Sequence, residues 1–277
     1  RVVDSTKPLG DLLPLAMDKL QETFDRGDTI TGTATGFNDL DEIMSGLQPS
    51  TLNIVGARPA MGKTAFGLGI ATHIAMTAKK PVLFFSMEMG HLELTKRLLA
   101  AEALIDSRKL STGRLNDHEW PKLNQAVGRL AEAPFFIDDN PHCTVMEMRA
   151  KARRTKARYG DLGMIVIDYL QLMSSSRRSE SRQIEVSEMS RGLKILAREL
   201  DTPVMCLSQL NRQLEYRQDK KPMLADLRES GCLTADTELL LADGSTATMG
   251  ALYEAGARDV DVITLDEHLR MVPGVMT

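Results

Sequence analysis

Cysteine, aromatic side chains and net charge are all scarce in this sequence of 277 residues, and each scarcity excludes something. The three cysteines, Cys143, Cys206 and Cys232, are odd in number and far apart, with no CxxC pair. That excludes a disulfide framework and a zinc ribbon, and it suits a reducing, cytoplasmic setting. Aromatic residues make up 4% of the chain, so nucleic acid would not be held by stacking bases on rings. No apolar run approaches the roughly 18 residues of a membrane span, and no signal peptide is visible, so no membrane partner is expected. Net charge is only −4, from 34 Lys and Arg against 38 Asp and Glu. No global field advertises nucleic acid, although a balanced total can hide a local basic face. The chain opens on Arg1 instead of Met, which reads as a fragment or a processed piece.

What is present is an ordinary globular mixture, 43% hydrophobic and 26% charged, long enough for one large α/β domain or two smaller ones. The charge is unevenly placed. Residues 232–277 hold eight acids and two bases, or −6, while residues 1–231 hold 32 bases and 30 acids, or +2. Such a shift marks either a domain boundary or a chance of composition. Residues 9–26 place Leu9, Leu12, Leu13, Ala16, Met17, Leu20 and Phe24 at helical spacing, ending before Gly27, with Pro14 limiting where the first turn lies. Taken alone, such a helix packs back on its own core. A Gly/Thr-rich loop follows. From residue 52 onward, apolar runs at 52–55, 82–86, 135–138, 164–168 and 203–208 alternate with helical stretches, two of them opened by capping boxes at Asn116/Glu119 and Thr144/Glu147. The expected fold class is therefore α/β, a mainly parallel sheet with helices on both faces. Ligands in such folds sit at the carboxyl ends of the strands.

After the first strand comes GARPAMGKTAFGLGIA. Gly62-Lys63-Thr64 ends a loop and opens a helix, as a phosphate loop does. Backbone N–H groups there would surround phosphate oxygens, Lys63 would reach the β- and γ-phosphates, and Thr64 would ligate Mg²⁺. The first glycine of the general pattern is replaced by Ala57, with Gly56 one residue earlier. Asp168, ending MIVID, supplies a carboxylate for the metal at a neighbouring strand end. Glu88, just past VLFFS, is the candidate to activate water; taken alone it is equally a surface acid before a helix. Ser208, Gln209, Asn211 and Arg212 form a third polar strand end suited to sensing the γ-phosphate. A Ser-rich segment, SSSRRSESRQ, carries Arg177, Arg178 and Arg182, cationic donors of the kind that suit a DNA phosphate backbone. The denser basic run, Arg149, Lys151, Arg153, Arg154, Lys156 and Arg158, is expected to be a solvated helix face.

TGFNDLD, GARPAMGKT, FFSMEM, IVIDYLQLM, LSQLNR and PMLADLRESG follow one another in that order. Over residues 9–231 the chain resembles the RecA-like P-loop ATPase domain of DnaB-type bacterial replicative DNA helicases. The resemblance implies ATP with Mg²⁺ as cofactors and a homo-hexamer ring that moves 5′ to 3′ on single-stranded DNA, with primase and a helicase loader as further partners. It implies a nucleotide loop of Ala57, Arg58, Pro59, Ala60, Met61, Gly62, Lys63, Thr64 and Ala65, with Thr64 and Asp168 at the metal. Glu88 becomes the water-activating base, Lys63 the phosphate lysine and Gln209 the γ-phosphate sensor. Arg228, Glu229 and Gly231 fall in the second DNA loop. Residues 1–30 resemble the linker helix and its loop, the helix docking on the adjacent subunit rather than on its own core, ahead of the ATPase domain at 31–231.

After Gly231 the expected sheet continuation and arginine-finger hairpin do not follow. CLTADTELLLADGS, and VDVITLDEHLRMVPGV after it, resemble the β-rich N-terminal part of an intein spanning 232–277. Cys232 would be its splicing nucleophile. Thr264 and His268 are spaced one residue too far apart for the Thr-x-x-His block, so this stretch is not expected to splice by itself; without the arginine finger, the ATPase is expected to bind nucleotide weakly and turn over slowly. Two further readings stay open on sequence: another RecA-like ring ATPase, and a non-catalytic split precursor acting only in assembly or trans-splicing.

Overall fold

Five strands alternate with helices in the computed structural model, which describes residues 6–27, 30–58, 60–168, 182–210, 238–240, 246–248, 260–265 and 271–276. Strands β1 (Leu52–Ala57), β2 (Val82–Ser86), β3 (Phe135–Asp138), β4 (Met164–Asp168) and β5 (Val204–Gln209) form one sheet in the order β1-β5-β4-β2-β3, every pair parallel. The expected α/β class is what the chain adopts. Its logic is visible in β2: successive side chains point to opposite faces, and both faces are covered. Leu83 and Phe85 join a core with Met148 and Ala152 of α7 (Val145–Tyr159) and Leu193, Leu196 and Ala197 of α8 (Arg182–Leu200). Val82 and Phe84 join a second core with Leu68, Ile70 and Ala71 of α3 (Lys63–His73) and Leu94 and Leu98 of α4 (His91–Ala103). Helix α3 lies so close to the sheet that a Cβ on Gly67 would sit 3.0 Å from Leu207 Cδ1.

The first strand runs two residues longer than its apolar pattern. Gly56 and Ala57 keep pairing with Ser208 and Gln209, so Ala57 ends the strand and leads directly into the loop.

Helix α1 (Leu9–Arg26) has the expected bounds and ends in left-handed Gly27 (φ 66°), but Pro14 falls within it, not at its start. Its packing overturns the simplest expectation. Leu9, Met17 and Phe24 are 70%, 63% and 82% exposed, so this helix does not cover its own core. After it, α2 (Asn38–Met44) closes the TGFNDLD segment. The Asp41 carboxylate, 3% exposed, accepts the Thr35 N–H at 2.8 Å and the Gly36 N–H at 3.1 Å. Removing a buried acceptor strands the donors that faced it. Asp41→Ala is therefore expected to cost about 2 kcal/mol, seen as a lower urea midpoint at unchanged slope.

Two other expectations are corrected. The basic run on α7 is only in part a solvated face: Arg154 and Arg158 are exposed, but Arg149 and Arg153 pair with Glu199 of α8, Lys151 with Asp138, and Lys156 with Asp161 at 2.9 Å. Its Thr144/Glu147 capping box is present. The Asn116 box is only half made. Helix α6 (Glu119–Ala131) begins after His118, and Glu119 accepts the Asn116 backbone N–H at 2.8 Å while also holding Lys109 at 2.6 Å.

Residues beyond 237 behave differently. Strands β6 (Glu238–Leu240) and β7 (Thr246–Thr248) form one antiparallel pair, and β8 (Val260–Leu265) and β9 (Met271–Met276) another; neither pair joins the parallel sheet.

Candidate functional site

Register brings the polar strand ends together at one edge of the sheet. Ser86 sits opposite Asp168, Asp168 opposite Leu207, and Ala57 opposite Gln209. Between β1 and α3 the loop turns through Ala60 (φ 64°) and Gly62 (φ 82°). A non-glycine residue in the left-handed region costs energy, and such residues concentrate where backbone is shaped for a ligand. Gly62 provides no side-chain cap for α3, so the first turn of that helix is left to an outside acceptor, with its dipole favouring an anion.

Lys63 and Thr64 converge on Asp168. The Lys63 ammonium lies 3.1 Å from Asp168 Oδ1, and the Thr64 hydroxyl donates to Oδ2 at 2.5 Å. Asp168 is completely buried, and its Oδ1 accepts no hydrogen bond among the described residues, leaving the lysine charge as its compensation. A buried carboxylate oxygen without a hydrogen bond, beside a hydroxyl and an ammonium at a helix N-terminus, fits magnesium-bound phosphate. The donors are all hard oxygens, and a compact cation with water and phosphate ligands needs few of them from protein. No group of three or more His, Cys, Asp or Glu that would hold a metal outright occurs among the described residues.

Glu88 is exposed, in the connection between β2 and α4. The Met87 N–H donates to the Asp168 carbonyl at 2.7 Å, tying that connection to the Asp168 strand end one residue before Glu88. The Ser86 hydroxyl donates to the Met89 carbonyl at 2.7 Å and accepts the Met89 N–H at 3.1 Å, spanning Glu88 from both sides. Sequence reasoning missed Ser86, because one serine inside an apolar strand carries no pattern. It also missed Asp139, which follows β3, although the strand-end rule that selected Asp168 applies there equally. Ala57, Arg58, Ala60, Met61, Gly62, Lys63, Thr64 and Ala65 lie along the strand end, loop and helix start. Pro59, Asn211, Arg212, Arg177, Arg178, Arg228, Glu229, Gly231, Cys232 and His268 lie outside the described residues, and of Arg182 only the backbone, opening α8, is described. Cys143 and Cys206 are free and buried; burial pushes the Cys143 thiol up to about 11, which keeps it protonated and inert at neutral pH.

A parallel sheet with helices on both faces and a lysine-threonine-aspartate cluster at its carboxyl edge defines an α/β P-loop protein of the RecA-like ATPase kind. Residues 32–243 match the family described as DnaB-like helicase C terminal domain, and the chain belongs to that family. It is 46% identical over 239 residues to the replicative DNA helicase DnaB of Leifsonia xyli subsp. xyli, a match covering 86% of this chain and 52% of that protein. To DnaB of Nostoc sp. (strain PCC 7120) it is 49% identical over 248 residues, covering 87% of this chain and 28% of that one. A solved DnaB-like replicative helicase, described together with its interactions with primase, superposes with a TM-score of 0.77 at 33% identity, covering 99% of this chain and 65% of that one. The chain thus spans about half the length of the first curated relatives it matches. Among the described residues no helix is long and apolar enough to cross a membrane.

Proposed function

We propose that this chain is the ATP-hydrolysing part of a replicative DNA helicase, converting nucleotide hydrolysis into 5′ to 3′ movement along single-stranded DNA as one subunit of a homo-hexamer ring. The observation that carries this reading is the convergence of Lys63 and Thr64 on fully buried Asp168 beside a left-handed glycine turn. Backbone from Ala57 to Ala65 holds the phosphates, and Lys63 gives a point charge to the β- and γ-phosphoryl oxygens. Thr64 and Asp168 would hold Mg²⁺, which would supply positive charge against the phosphoryl oxygens. Glu88 accepts the proton of the attacking water. Gln209 ends β5 and senses the γ-phosphate. Arg177, Arg178 and Arg182, with Arg228, Glu229 and Gly231, meet the DNA backbone without reading its sequence. Helix α1 carries a row of exposed apolar residues, which suits docking on the adjacent subunit. Primase and a loader are the further partners expected of such a ring. The test is ATP hydrolysis with and without single-stranded DNA, together with displacement of a 5′-tailed fork. Hydrolysis no faster than that of Lys63→Met would sink the assignment.

For the acidic end we propose an intein start, dividing the chain at Gly231 and Cys232 into linker (1–30), ATPase (31–231) and intein (232–277). The Cys232 thiol would attack the Gly231 carbonyl; the C–S bond forms, the C–N bond breaks, and the thiol proton ends on the freed Cys232 amine. Two antiparallel hairpins separate from the parallel sheet support it. So does the Nostoc relative, which matches over a similar stretch but is covered over only 28% of its length, and is therefore several hundred residues longer than the Leifsonia protein. The family match itself runs on to residue 243, so the division rests on the Cys232 chemistry and the hairpins and not on where that match stops. Reading the coding frame past Thr277 tests it: a downstream His-Asn pair followed by helicase sequence supports splicing, and helicase sequence with no such pair removes it.

A further inference from the structure

The connection that carries Glu88 is held at three points, and the third comes from the sheet's outer strand. Met87 is tied to the Asp168 carbonyl and Met89 to the Ser86 hydroxyl. Beyond Glu88, helix α4 begins after Gly90, which has no side chain with which to cap it. Asp139 does this from the end of the neighbouring strand. It directly follows β3, whose Asp138 pairs in register with Phe85 of β2. Asp139 Oδ2 accepts the His91 backbone N–H at 3.0 Å and lies 2.5 Å from His91 Nδ1. A Cβ on Gly90 would meet the same oxygen at 3.8 Å, so the carboxylate lies in contact with the link itself. The His91 backbone N–H, and then its ring, hold the Asp139 carboxyl below its ordinary range, so it is charged wherever Glu88 would act.

We infer that Asp139 is a positioning residue for Glu88, acting through the first turn of α4. The inference rests on the reading of Glu88 as the base. Glu88 is exposed, so its place relative to the phosphate site is set by the backbone anchored on either side of it. Freeing the far anchor lets the helix start drift while Lys63, Thr64 and Asp168 stay where they are. A displacement of that kind slows a proton transfer without weakening nucleotide binding.

The test is steady-state ATP hydrolysis by the full chain with single-stranded DNA, plus titration with a fluorescent ATP analogue. Asp139→Ala should lower kcat about tenfold, with KM and analogue affinity unchanged. Asp139→Asn keeps an acceptor oxygen for the His91 N–H and should restore most of the rate. His91→Pro is the second variant: proline is favoured at the first helical position and removes the donor while keeping the helix, so it should match Asp139→Ala. In a Glu88→Gln background neither change should slow the residual rate further. A normal kcat in both Asp139→Ala and His91→Pro overturns the inference. So does a raised KM at constant kcat, or a loss that multiplies with that of Glu88→Gln. If Glu88→Gln itself turns over at full rate, the base reading and this inference fall together. If Glu88→Gln is slow while both anchor variants are normal, the inference alone falls.

Discussion

Glu88→Gln is expected to bind ATP as the unaltered protein does and to hydrolyse it slower by about two to four orders of magnitude, the range for losing a general base. The separation follows from geometry. Lys63, Thr64 and Asp168 form a cluster joined by direct contacts at 3.1 and 2.5 Å, and Glu88 is no member of it. It stands on a neighbouring connection whose link to that cluster is the Met87 N–H bonded to the Asp168 carbonyl. Glutamine keeps the length and hydrogen-bonding shape of the side chain, so the fold and the nucleotide loop are left intact, and only the capacity to take a proton disappears. Single-turnover hydrolysis beside an equilibrium titration makes the distinction. Glu88→Gln hydrolysing at the unaltered rate would make Glu88 an ordinary surface acid ahead of α4, which its exposure alone equally allows.

The strand-by-strand scaffold was legible because buried parallel strands write near-continuous apolar runs, and β2, β3 and β4 begin and end where those runs do. Strand ends also pointed to Lys63, Thr64, Asp168 and Glu88 as candidates, because chemistry in such folds follows strand ends, and the fold does bring Lys63 and Thr64 onto Asp168. What escaped the sequence depends on partners remote along the chain. The basic residues of α7 look like a solvated stripe until Glu199, 46 residues beyond Arg153, arrives beside them. Asp139 looks like a loop acid until β3 pairs with β2 and sets it against the start of α4, 48 residues earlier. Helix α1 is a different case. Its periodicity was clear, but periodicity marks an apolar face and is silent on whether the chain's own core covers it, which here it does not.

Lys63→Met should damage stability as well as binding, and the two losses should respond differently to a second substitution. In the unaltered protein the Lys63 ammonium, 12% exposed, faces a carboxylate that is wholly buried. Methionine keeps the bulk and removes the charge. Asp168 Oδ1, which accepts no hydrogen bond among the described residues, then loses its compensating cation. Breaking one side of a buried pair is costly because the remaining charge stays desolvated, and about 3 kcal/mol is expected in urea unfolding. Nucleotide affinity should fall by about two orders of magnitude, since the proposed function gives the same charge to the phosphates. Adding Asp168→Asn removes the stranded charge, while the amide oxygen can still accept from Thr64, whose hydroxyl donates at 2.5 Å to Oδ2. The double variant should therefore recover at least half of the lost stability and none of the lost affinity. Equal stability of Lys63→Met and the unaltered protein would mean that the lysine does not compensate Asp168. Recovery of nucleotide binding in the double variant would mean that Lys63 acts only by neutralising Asp168 and not on the phosphates. Stability and binding draw on one ammonium here, and a nearly isosteric pair of substitutions separates them because the carboxylate belongs to the fold and to the site at once.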